Sequence, residues 1–340
     1  MVILIGGASH AGKTLMAQKL LEKYHYPYTS IDHIKMGIIR GYKNCGFTPY
    51  DSDKVISEKL WGVIKGIVDT CVENKQNIII EGCYLPPHKV VDISDYVIAV
   101  YIVFSDSYIN KNFNKIISYE NIIEKRKFQE ERNKNEFILE NKEIKKKCIE
   151  SRLPYFEINE DYEEEIQKVY NYIHENIIKI RKYRASDLNE ILVVFYDTVH
   201  EVCSKDYSKS QLNAWADGNI NKEEWNKSFL EHYTVVVEID NKIVGFGDIN
   251  GDYIDRLYVH KNYQNIGIAT KILKSLEKYA YESGKNIITT HVSITAKSFF
   301  EERGYKVIKE QDVKRKGEAL TNYIMKNKEK LRKYKKDSAW

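Results

Sequence analysis

Long hydrophobic runs, prolines and closely spaced cysteines are scarce in this sequence. Its 340 residues include five prolines and five cysteines. The cysteines lie far apart with no C-x-x-C spacing, and an odd, scattered set indicates reduced thiols and not a zinc site or a disulfide framework. No apolar run reaches the roughly 18 residues that a membrane span requires. We therefore expect a soluble, cytoplasmic protein with no membrane partner.

A basic leader is missing at the N-terminus as well. Met1 is followed directly by Val2–Ile5, a short apolar run that ends at Gly6-Gly7. Such a run is typical of a buried β-strand and not of a signal peptide.

A strong charge imbalance is also lacking. The net charge is +4, and the segment Lys326–Asp337 alone contains seven basic and two acidic residues. Because a basic helix end is usually solvated, we do not expect nucleic acid as a partner. The last three residues, Ser338–Trp340, resemble the start of an affinity-tag linker.

The sequence does contain two successive patterns of helices and strands. A length of 340 residues fits two domains of roughly 150 residues each. Residues 1–176 alternate apolar, β-branched runs with helical stretches, which predicts an α/β domain with a parallel sheet. Residues 177–327 form a second pattern, typical of a small α+β domain with a hairpin around Asp240-Asn241. Residues 328–340 are left as a basic tail.

The first predicted strand is followed by the pattern G-x-x-x-x-G-K-T. Its glycines let backbone N–H groups curl around phosphates, and the start of the next helix adds a favourable dipole. In such a loop the lysine bridges the β- and γ-phosphates of ATP, and the threonine hydroxyl ligates Mg²⁺. We therefore assign the ATP site to Gly7, Ala8, Ser9, His10, Ala11, Gly12, Lys13 and Thr14, with Thr14 on the metal.

The first 175 residues resemble the P-loop nucleotide and small-molecule kinases, which include adenylate, shikimate and gluconate kinases. The resemblance implies that Asp32, which closes the second strand, orients the acceptor hydroxyl or the metal; the alternative is that Asp32 caps the next helix. Glu81 matches the Walker-B-like strand end and is assigned to Mg²⁺. A helical lid is expected after Phe104, and its guanidinium groups would stabilise the transferring phosphoryl group. The arginines of this region are Arg126, Arg132 and Arg152, of which Arg152 is favoured.

A second phosphate-binding pattern occurs in the other half of the chain. Gln264–Ala269 fits Q/R-x-x-G-x-G/A, a small loop that directs successive N–H groups at a pyrophosphate from a helix N-terminus. Together with Ile180–Asp187 and Ala296–Tyr305, it makes residues 178–327 resemble the GNAT acetyltransferases, most closely the YafP-like group. The resemblance implies acetyl-CoA as the cofactor. It assigns cofactor contacts to Leu257, Tyr258, Val259, Gln264, Asn265, Ile266, Gly267, Ile268, Ala269, Thr270 and Ser298.

Two positions depart from the GNAT pattern, and one of them is Ser293, where the family often has an asparagine. Phe300 stands where the family often has the tyrosine that protonates the leaving thiolate. Phenylalanine has no proton to donate, so Tyr323 is the predicted substitute, with Ser298 or water as alternatives. For deprotonating the amine, Asp255 and His291 are the candidates, although a histidine on an apolar strand is more often structural.

These patterns predict a bifunctional transferase that phosphorylates one small-molecule group with ATP and acetylates an amine with acetyl-CoA. Two alternatives stay open. The P-loop half is an ATP sensor attached to an acetyltransferase that acts on a protein or RNA, or it only stabilises the fold.

Overall fold

The structure, a computed structural model, describes residues 1–118 and 133–327. The chain divides into two compact units, Met1–Ile177 and a second that begins at Ile178. Each unit contains its own sheet. Within the described ranges, no helix is both long and apolar enough to cross a membrane. The predicted basic tail, residues 328–340, lies outside them.

Unit 1 is built on a five-stranded parallel sheet. Its strands are β1 (Val2–Gly7), β2 (Tyr28–Ser30), β3 (Ile78–Glu81), β4 (Ile98–Phe104) and β5 (Tyr155–Ile158). Their order in the sheet is β2-β3-β1-β4-β5. All residues of β1 and β4 are buried, as continuous apolar runs covered on both faces require.

Helices connect these strands. They are α1 (Lys13–Tyr24), α2 (Ile31–Gly41), α3 (Asp53–Glu73), α4 (Pro87–Val90), α5 (Asp106–Ser118), α6 (Lys134–Glu150) and α7 (Tyr162–Ile177). In α3 the Ser52 side chain accepts a hydrogen bond from the Val55 N–H and caps the helix. Ile56, Leu60, Ile64 and Val68 then recur every four residues and are at most 1% exposed, so this face of α3 packs into the core.

Unit 2 is built on a seven-stranded, mostly antiparallel sheet. Its strands are β6 (Lys179–Lys182), β7 (Tyr233–Ile239), β8 (Lys242–Asn250), β9 (Tyr253–Val259), β10 (Ile288–Ser293), β11 (Lys306–Arg315) and β12 (Glu318–Asn327). Their order is β11-β12-β10-β9-β8-β7-β6. The β9–β10 pair is parallel, and it lies at the centre of the sheet.

The two faces of this sheet carry different helices. The helices are α8 (Leu188–Asp197), α9 (Lys209–Trp215), α10 (Lys222–Glu231), α11 (Ile268–Glu282) and α12 (Lys297–Glu301). On one face α11 packs so closely that a Cβ added at Gly247 would lie 2.6 Å from Ile272. On the other face Phe246 packs edge-on against Phe229 of α10, with ring centroids 5.7 Å apart. Both faces of the sheet are therefore covered.

The predicted fold class is confirmed: an α/β unit with a parallel sheet is followed by an α+β unit. Two kinds of element were not predicted. α2, α4, α9 and α10 had no assignment. β11 was missed because nearly all of its residues are exposed, so it lacks the apolar alternation that marks a half-buried strand.

Candidate functional sites

The carboxyl ends of three neighbouring strands meet at one edge of the unit 1 sheet. The register pairs Ser30 of β2 and Ile5 of β1 with Glu81 at the end of β3. Because parallel strands run in one direction, the loop after β1, Asp32 after β2 and Glu81 all lie at this edge. The fold thus gathers predicted kinase groups that are far apart in sequence.

The loop after β1 depends on two glycines. Gly7 has φ 132°, and a Cβ there would lie 2.1 Å from the carbonyl oxygen of Ile102. Gly12 has φ 78° and caps α1, and its Cβ would lie 2.0 Å from Tyr162 Oη. Only glycine fits both positions. The loop leads directly into the N-terminus of α1, where the helix dipole favours an anion.

Lys13 is the first residue of α1 and is 6% exposed. Its ammonium donates a hydrogen bond to the Ala8 carbonyl oxygen at 2.6 Å, within the loop itself. Burial acts to lower the pKa of Lys13, but Cys83 and Glu81 outweigh it and hold that pKa above its ordinary value. Lys13 therefore stays charged, as a phosphate ligand must.

Thr14 and Glu81 are in contact at the same place. Thr14 Oγ1 donates to Glu81 Oε1 at 3.2 Å. Burial raises the pKa of Glu81, against the opposing charge of Lys13. Hydroxyl and carboxylate oxygens are the hard donors that Mg²⁺ prefers. The pair therefore fits the predicted metal position, since a divalent cation would compensate a buried carboxylate.

Asp32 lies in the first turn of α2, where Ser30 and not Asp32 is the N-cap residue. The Lys35 ammonium lies 2.7 Å from Asp32 Oδ1 and donates to Tyr84 Oη at 2.8 Å. Lys35 is 9% exposed, whereas the Asp32 side chain is 32% exposed, so the carboxylate still faces water. Sequence reasoning missed Lys35 and Tyr84 because Tyr84, in the loop after β3, meets α2 only in the folded chain.

Glu140 of α6 also reaches the P-loop. Its Oε1 accepts a hydrogen bond from the Ser9 backbone N–H at 3.0 Å. A carboxylate oxygen thus occupies a donor that a phosphate oxygen would use. Cys83 lies beside it, with Sγ 3.6 Å from Ser9 Oγ. Neither residue was predicted, since a glutamate in a charged helix and a lone cysteine carry no distinguishing sequence signal.

The prediction that Arg152 acts at the phosphates is wrong. Arg152 comes three residues before β5 and therefore lies at the amino edge of the sheet, opposite the P-loop. It is exposed and lines a surface depression with His88 and Glu150. Position along the chain suggested a lid residue, but strand direction decides which edge a residue occupies. Arg126 and Arg132 lie outside the described residues.

In unit 2 the central strands β9 and β10 pair only at their beginnings. The register is limited to Thr289 with Tyr253 and Thr290 with Ile254. Thr290 Oγ1 then donates to the Ile254 carbonyl oxygen at 3.0 Å, where the ladder ends. Beyond this point no strand in the described part of the chain pairs with the β10 side of β9. This open stretch contains the predicted contact segment Leu257–Val259.

The predicted pyrophosphate loop follows β9 directly. Asn265 and Gly267 have φ 63° and 94°, and Gly267 is the N-cap residue of α11. Gln264 Nε2 donates to the Val259 carbonyl oxygen at 3.3 Å, which ties the loop to the end of the strand. The loop thus presents backbone N–H groups at a helix N-terminus beside the open edge of β9, an arrangement that fits a pyrophosphate and its attached arm.

Arg303 supports this loop from the end of α12. Its Nη2 donates to Thr270 Oγ1 at 2.9 Å, and its guanidinium lies 3.8 Å from the centroid of the Phe299 ring. Arg303 therefore holds Thr270, a predicted cofactor contact in the first turn of α11. Ser298 lies in the first turn of α12 and is exposed.

Phe300 and Tyr323 occupy different environments. Phe300 is 4% exposed and packs edge-on against Tyr305, with centroids 5.0 Å apart. Tyr323 is half-buried on β12, opposite Val292 of β10, and the Lys297 ammonium lies 4.5 Å from its ring centroid. Tyr323, with the Lys297 ammonium beside its ring, stays the predicted proton donor.

Asp255 is the extra residue of a β-bulge. Asp248 pairs with Arg256 and Ile249 with Ile254, so Asp255 has no opposite residue. Burial and the Asp248 carboxylate raise the pKa of Asp255. Bulges re-aim side chains and recur beside active sites. His291, the other candidate base, is exposed and packs its ring edge-on against Tyr253.

Comparison with known families agrees with this geometry. Residues 1–100 match the family described as Zeta toxin, and residues 203–327 match the family described as acetyltransferase (GNAT) domain. The fold and the sites thus define an acetyltransferase unit preceded by a P-loop unit of kinase type.

Individual relatives of the second unit are N-acetyltransferases. The N-acetyltransferase YafP of Escherichia coli K12 is 35% identical over 153 residues, which cover 45% of this chain and 97% of the relative. An N-acetyltransferase of the pepI 3′ region of Lactobacillus delbrueckii subsp. lactis is 22% identical over 37% of this chain and 83% of its own length. A solved GCN5-related N-acetyltransferase from Rhodopseudomonas palustris is 30% identical, with 44% and 94% covered and a TM-score of 0.43. The chain belongs to the GNAT N-acetyltransferase family, and the predicted resemblance is confirmed.

Proposed function

We propose that the chain is a bifunctional transferase. Unit 1 phosphorylates a small molecule with ATP and Mg²⁺, and unit 2 transfers an acetyl group from acetyl-CoA to an amine. The observation that carries the first half is the gathering of Lys13, Glu81 and Asp32 at one sheet edge. The second half rests on the glycine loop beside the open edge of β9.

In unit 1 each group has a distinct task. Lys13 holds phosphate oxygens of ATP, and Thr14 and Glu81 would hold Mg²⁺, which neutralises developing charge when bound. Asp32 orients the acceptor hydroxyl and accepts its proton. Lys35 holds the Asp32 carboxylate in place.

In unit 2 the N–H groups of the loop at Gly267 hold the pyrophosphate. The unpaired edge of β9 at Leu257–Val259 receives the extended arm by strand-like hydrogen bonds. Asp255 takes the proton from the amine, and its raised pKa brings it nearer to that of a useful base at neutral pH. Tyr323 returns a proton to the departing thiolate.

A metabolite extract screened with labelled ATP and labelled acetyl-CoA tests both halves at once, with products identified by mass. Lys13→Ala and Asp255→Asn provide matched controls. Each activity should disappear in one variant and persist in the other. If label enters no product from acetyl-CoA, the acetyltransferase proposal is wrong; if ATP label enters none, the kinase proposal is wrong.

One observation supports a second role for unit 1, that of an ATP sensor. Lys13 donates to its own loop and Glu140 accepts from Ser9, so both groups must be released before phosphates bind. Saturable ATP binding without turnover in the extract screen would favour the sensor over the kinase.

A further inference from the structure

The hairpin of β11 and β12 shares one face of the unit 2 sheet with the aromatic core beside α10. Leu320 of β12 is 6% exposed and belongs to the same buried cluster as Phe229 and Phe246. Side chains two residues apart on a strand, and those directly opposite on its partner, lie on one face. Arg315 of β11 is opposite Glu318 of β12. Arg315 therefore lies on this face, which we call the α10 face.

The candidate base lies on the α10 face as well. Ile324 of β12, also on this face, is opposite His291 of β10. The His291 ring packs edge-on against Tyr253 of β9, with centroids 5.3 Å apart, and Asp255 follows Tyr253 by two residues. Asp255 and Arg315 are thus on one face, although the strands β10 and β12 lie between theirs.

Contacts with the region of α9 hold the end of the hairpin in place. Gln211 Nε2 donates to the Ala319 carbonyl oxygen at 2.7 Å. At the tip, Lys316 forms an ion pair with Asp217, which follows α9. These contacts fix the position of the neighbouring Arg315 on the α10 face.

The charge of Arg315 acts on groups of β9. Burial and the Asp248 carboxylate raise the pKa of Asp255, and the Arg315 guanidinium is among the cations that oppose this rise. Burial also raises the pKa of Tyr253 to about 12, and Arg315 again acts in the opposite direction. Exposed charges more than about 10 Å apart are largely screened. The carboxylate and the guanidinium are therefore near enough to bind two charges of one small molecule.

The guanidinium groups of Arg256 and Arg315 differ in their partners. Arg256 donates to the buried Asp248 at 2.8 Å from Nε and 2.7 Å from Nη2, and His232 Nδ1 lies 2.6 Å from the same carboxylate. Arg315 is exposed, and within residues 1–118 and 133–327 it forms no ion pair, although Glu318 is its opposite residue. Arg256 is thus committed to the protein, whereas Arg315 is available to a ligand.

Asn322 adds a hydrogen-bonding group to the same face. It is two residues from Leu320, and it lies between Ser293 of β10 and Gln311 of β11 in the register. Its Oδ1 is buried and has no hydrogen-bond partner among the described residues. A buried acceptor without a donor is costly, and an N–H of a bound ligand would remove that cost.

We propose that the amine accepted by unit 2 also carries a compact anion, a carboxylate or a phosphate, which Arg315 binds while Asp255 faces the ammonium. A guanidinium matches both anions because it can donate two parallel hydrogen bonds to their oxygens. Asn322 Oδ1 accepts an N–H of the same molecule. Acceptors of this class are zwitterions such as amino acids, whereas Arg315 repels polyamines, which carry positive charge alone. This inference rests on the acetyl transfer proposed above and names its acceptor class.

The mass of the acetylated product is the first test. The amine that takes label from acetyl-CoA in the extract screen should contain an acidic group, and its mass distinguishes a carboxylate from a phosphate. A labelled amine without an acidic group overturns the inference and leaves acetyl transfer intact. If no amine is labelled, the proposed function fails and this inference fails with it.

The role of Arg315 is tested by combining a variant with a modified acceptor. Arg315→Gln should raise the KM for the labelled amine about tenfold, the low end for a charged hydrogen bond because Arg315 is exposed, with kcat and the KM for acetyl-CoA unchanged. The same amine with its carboxylate amidated, or its phosphate removed, should show a similar loss with the parent and no further loss with Arg315→Gln. Arg315→Lys, which keeps the charge, should retain part of the affinity.

Lys314→Gln is the matched control. Lys314 is exposed on the same strand and is opposite Ala319, so it lies on the other face of the hairpin. The variant removes the same charge and should leave the KM for the amine nearly unchanged. Losses that simply add when Arg315→Gln meets the modified amine, or an equal loss in Lys314→Gln, overturn the assignment of Arg315.

Discussion

The two loops that we propose bind phosphate share one backbone arrangement and differ in their side chains. In both, a strand leads into a loop whose last residue is a glycine with positive φ, Gly12 at 78° and Gly267 at 94°, and that glycine caps a helix. The next residue differs. It is the buried, charged Lys13 in unit 1 and the buried, apolar Ile268 in unit 2.

The difference follows from what each phosphate does. A phosphoryl group that is transferred gathers charge in the transition state and needs cations and a metal. A pyrophosphate that only anchors a cofactor gains enough from backbone N–H groups and the helix dipole. The first lysine of α11, Lys271, donates to the Ile178 carbonyl oxygen. In the proposed functions one backbone arrangement therefore serves two chemistries, and the residue after the glycine distinguishes them.

Lys13→Ala is the substitution that we expect to separate the two loops most strongly. We expect phosphoryl transfer to fall about a thousandfold or more, since a cation on the transferring group is worth that much, while acetyl transfer is unchanged. Steady-state rates of both reactions on one preparation give the result. Lys271→Ala is the control in the other loop and should leave both rates within about twofold of the parent. Kinase turnover that survives Lys13→Ala would show that unit 1 uses another cation.

Asp255→Asn tests the base on the acetyltransferase side. We expect kcat/KM for acetyl transfer to fall about a hundredfold, the usual value of general-base help. A base works when deprotonated, and burial beside Asp248 raises the pKa of Asp255. The parent's activity should therefore fall with decreasing pH through a value above the ordinary value of about 3.9 for aspartate.

The pH profile of the variant completes this prediction. In Asp255→Asn the acidic limb that belongs to this group should be absent, with ATP turnover unaffected. An equal acidic limb in parent and variant would assign the base to another group, with His291 the next candidate.

Both loops were predicted from sequence, because each is a local signal in which strand, glycines and helix follow one another within about 20 residues. What the sequence did not reveal depends on sheet order. Lys35 meets Tyr84, and His232 meets Asp248 and Arg256, only after strands from different parts of the chain are paired. Arg152 was placed wrongly for the same reason, since the edge of a parallel sheet is set by strand direction. Helix α2 was missed because its start coincides with the end of β2.

Tyr323→Phe addresses the step that has no counterpart in unit 1, the protonation of a leaving thiolate. A free thiol has a pKa of about 8.5, so its thiolate departs tolerably without help at neutral pH. We therefore expect only about a tenfold loss of kcat, less than the usual general-acid effect, with acetyl-CoA affinity unchanged. A parent-like rate would assign the proton to Ser298 or water.

Phe300→Tyr in the Tyr323→Phe background is the matched test of position. Phe300 is packed against Tyr305. A hydroxyl added to its ring can therefore protonate the thiolate only if it reaches the sulfur of CoA. Partial recovery of kcat would show that the two positions serve one proton transfer, and no recovery would separate them.

The smallest expected effects concern stability, where two buried carboxylates should respond to acid in opposite directions. In unit 2, Asp187 is 6% exposed and accepts from Arg181 Nη1 at 2.7 Å and Nη2 at 2.9 Å. Burial acts to raise the pKa of Asp187, but the hydrogen bonds of Arg181 and of the Arg184 N–H outweigh it and lower that pKa. Stability from a lowered pKa is present above the unfolded value, about 3.9, and is lost as pH falls through the folded value.

In unit 1 the sign is reversed, because burial raises the pKa of Glu81. A raised pKa stabilises the fold below the unfolded value of about 4.3 and this contribution is lost as pH rises. At pH 7 we therefore expect Asp187→Asn to lower the free energy of unfolding by about 1–3 kcal/mol, the cost of a lost charged hydrogen bond, and Glu81→Gln to leave it unchanged or raise it. Urea unfolding of the full chain at pH 7, at pH 4 and below the folded pKa of Asp187, followed by probes in each unit, measures both. Below the folded pKa of Asp187 the first difference should vanish, and an Asp187→Asn penalty that is equal at all pH values would show that the Arg181 contact stabilises through packing and not through charge.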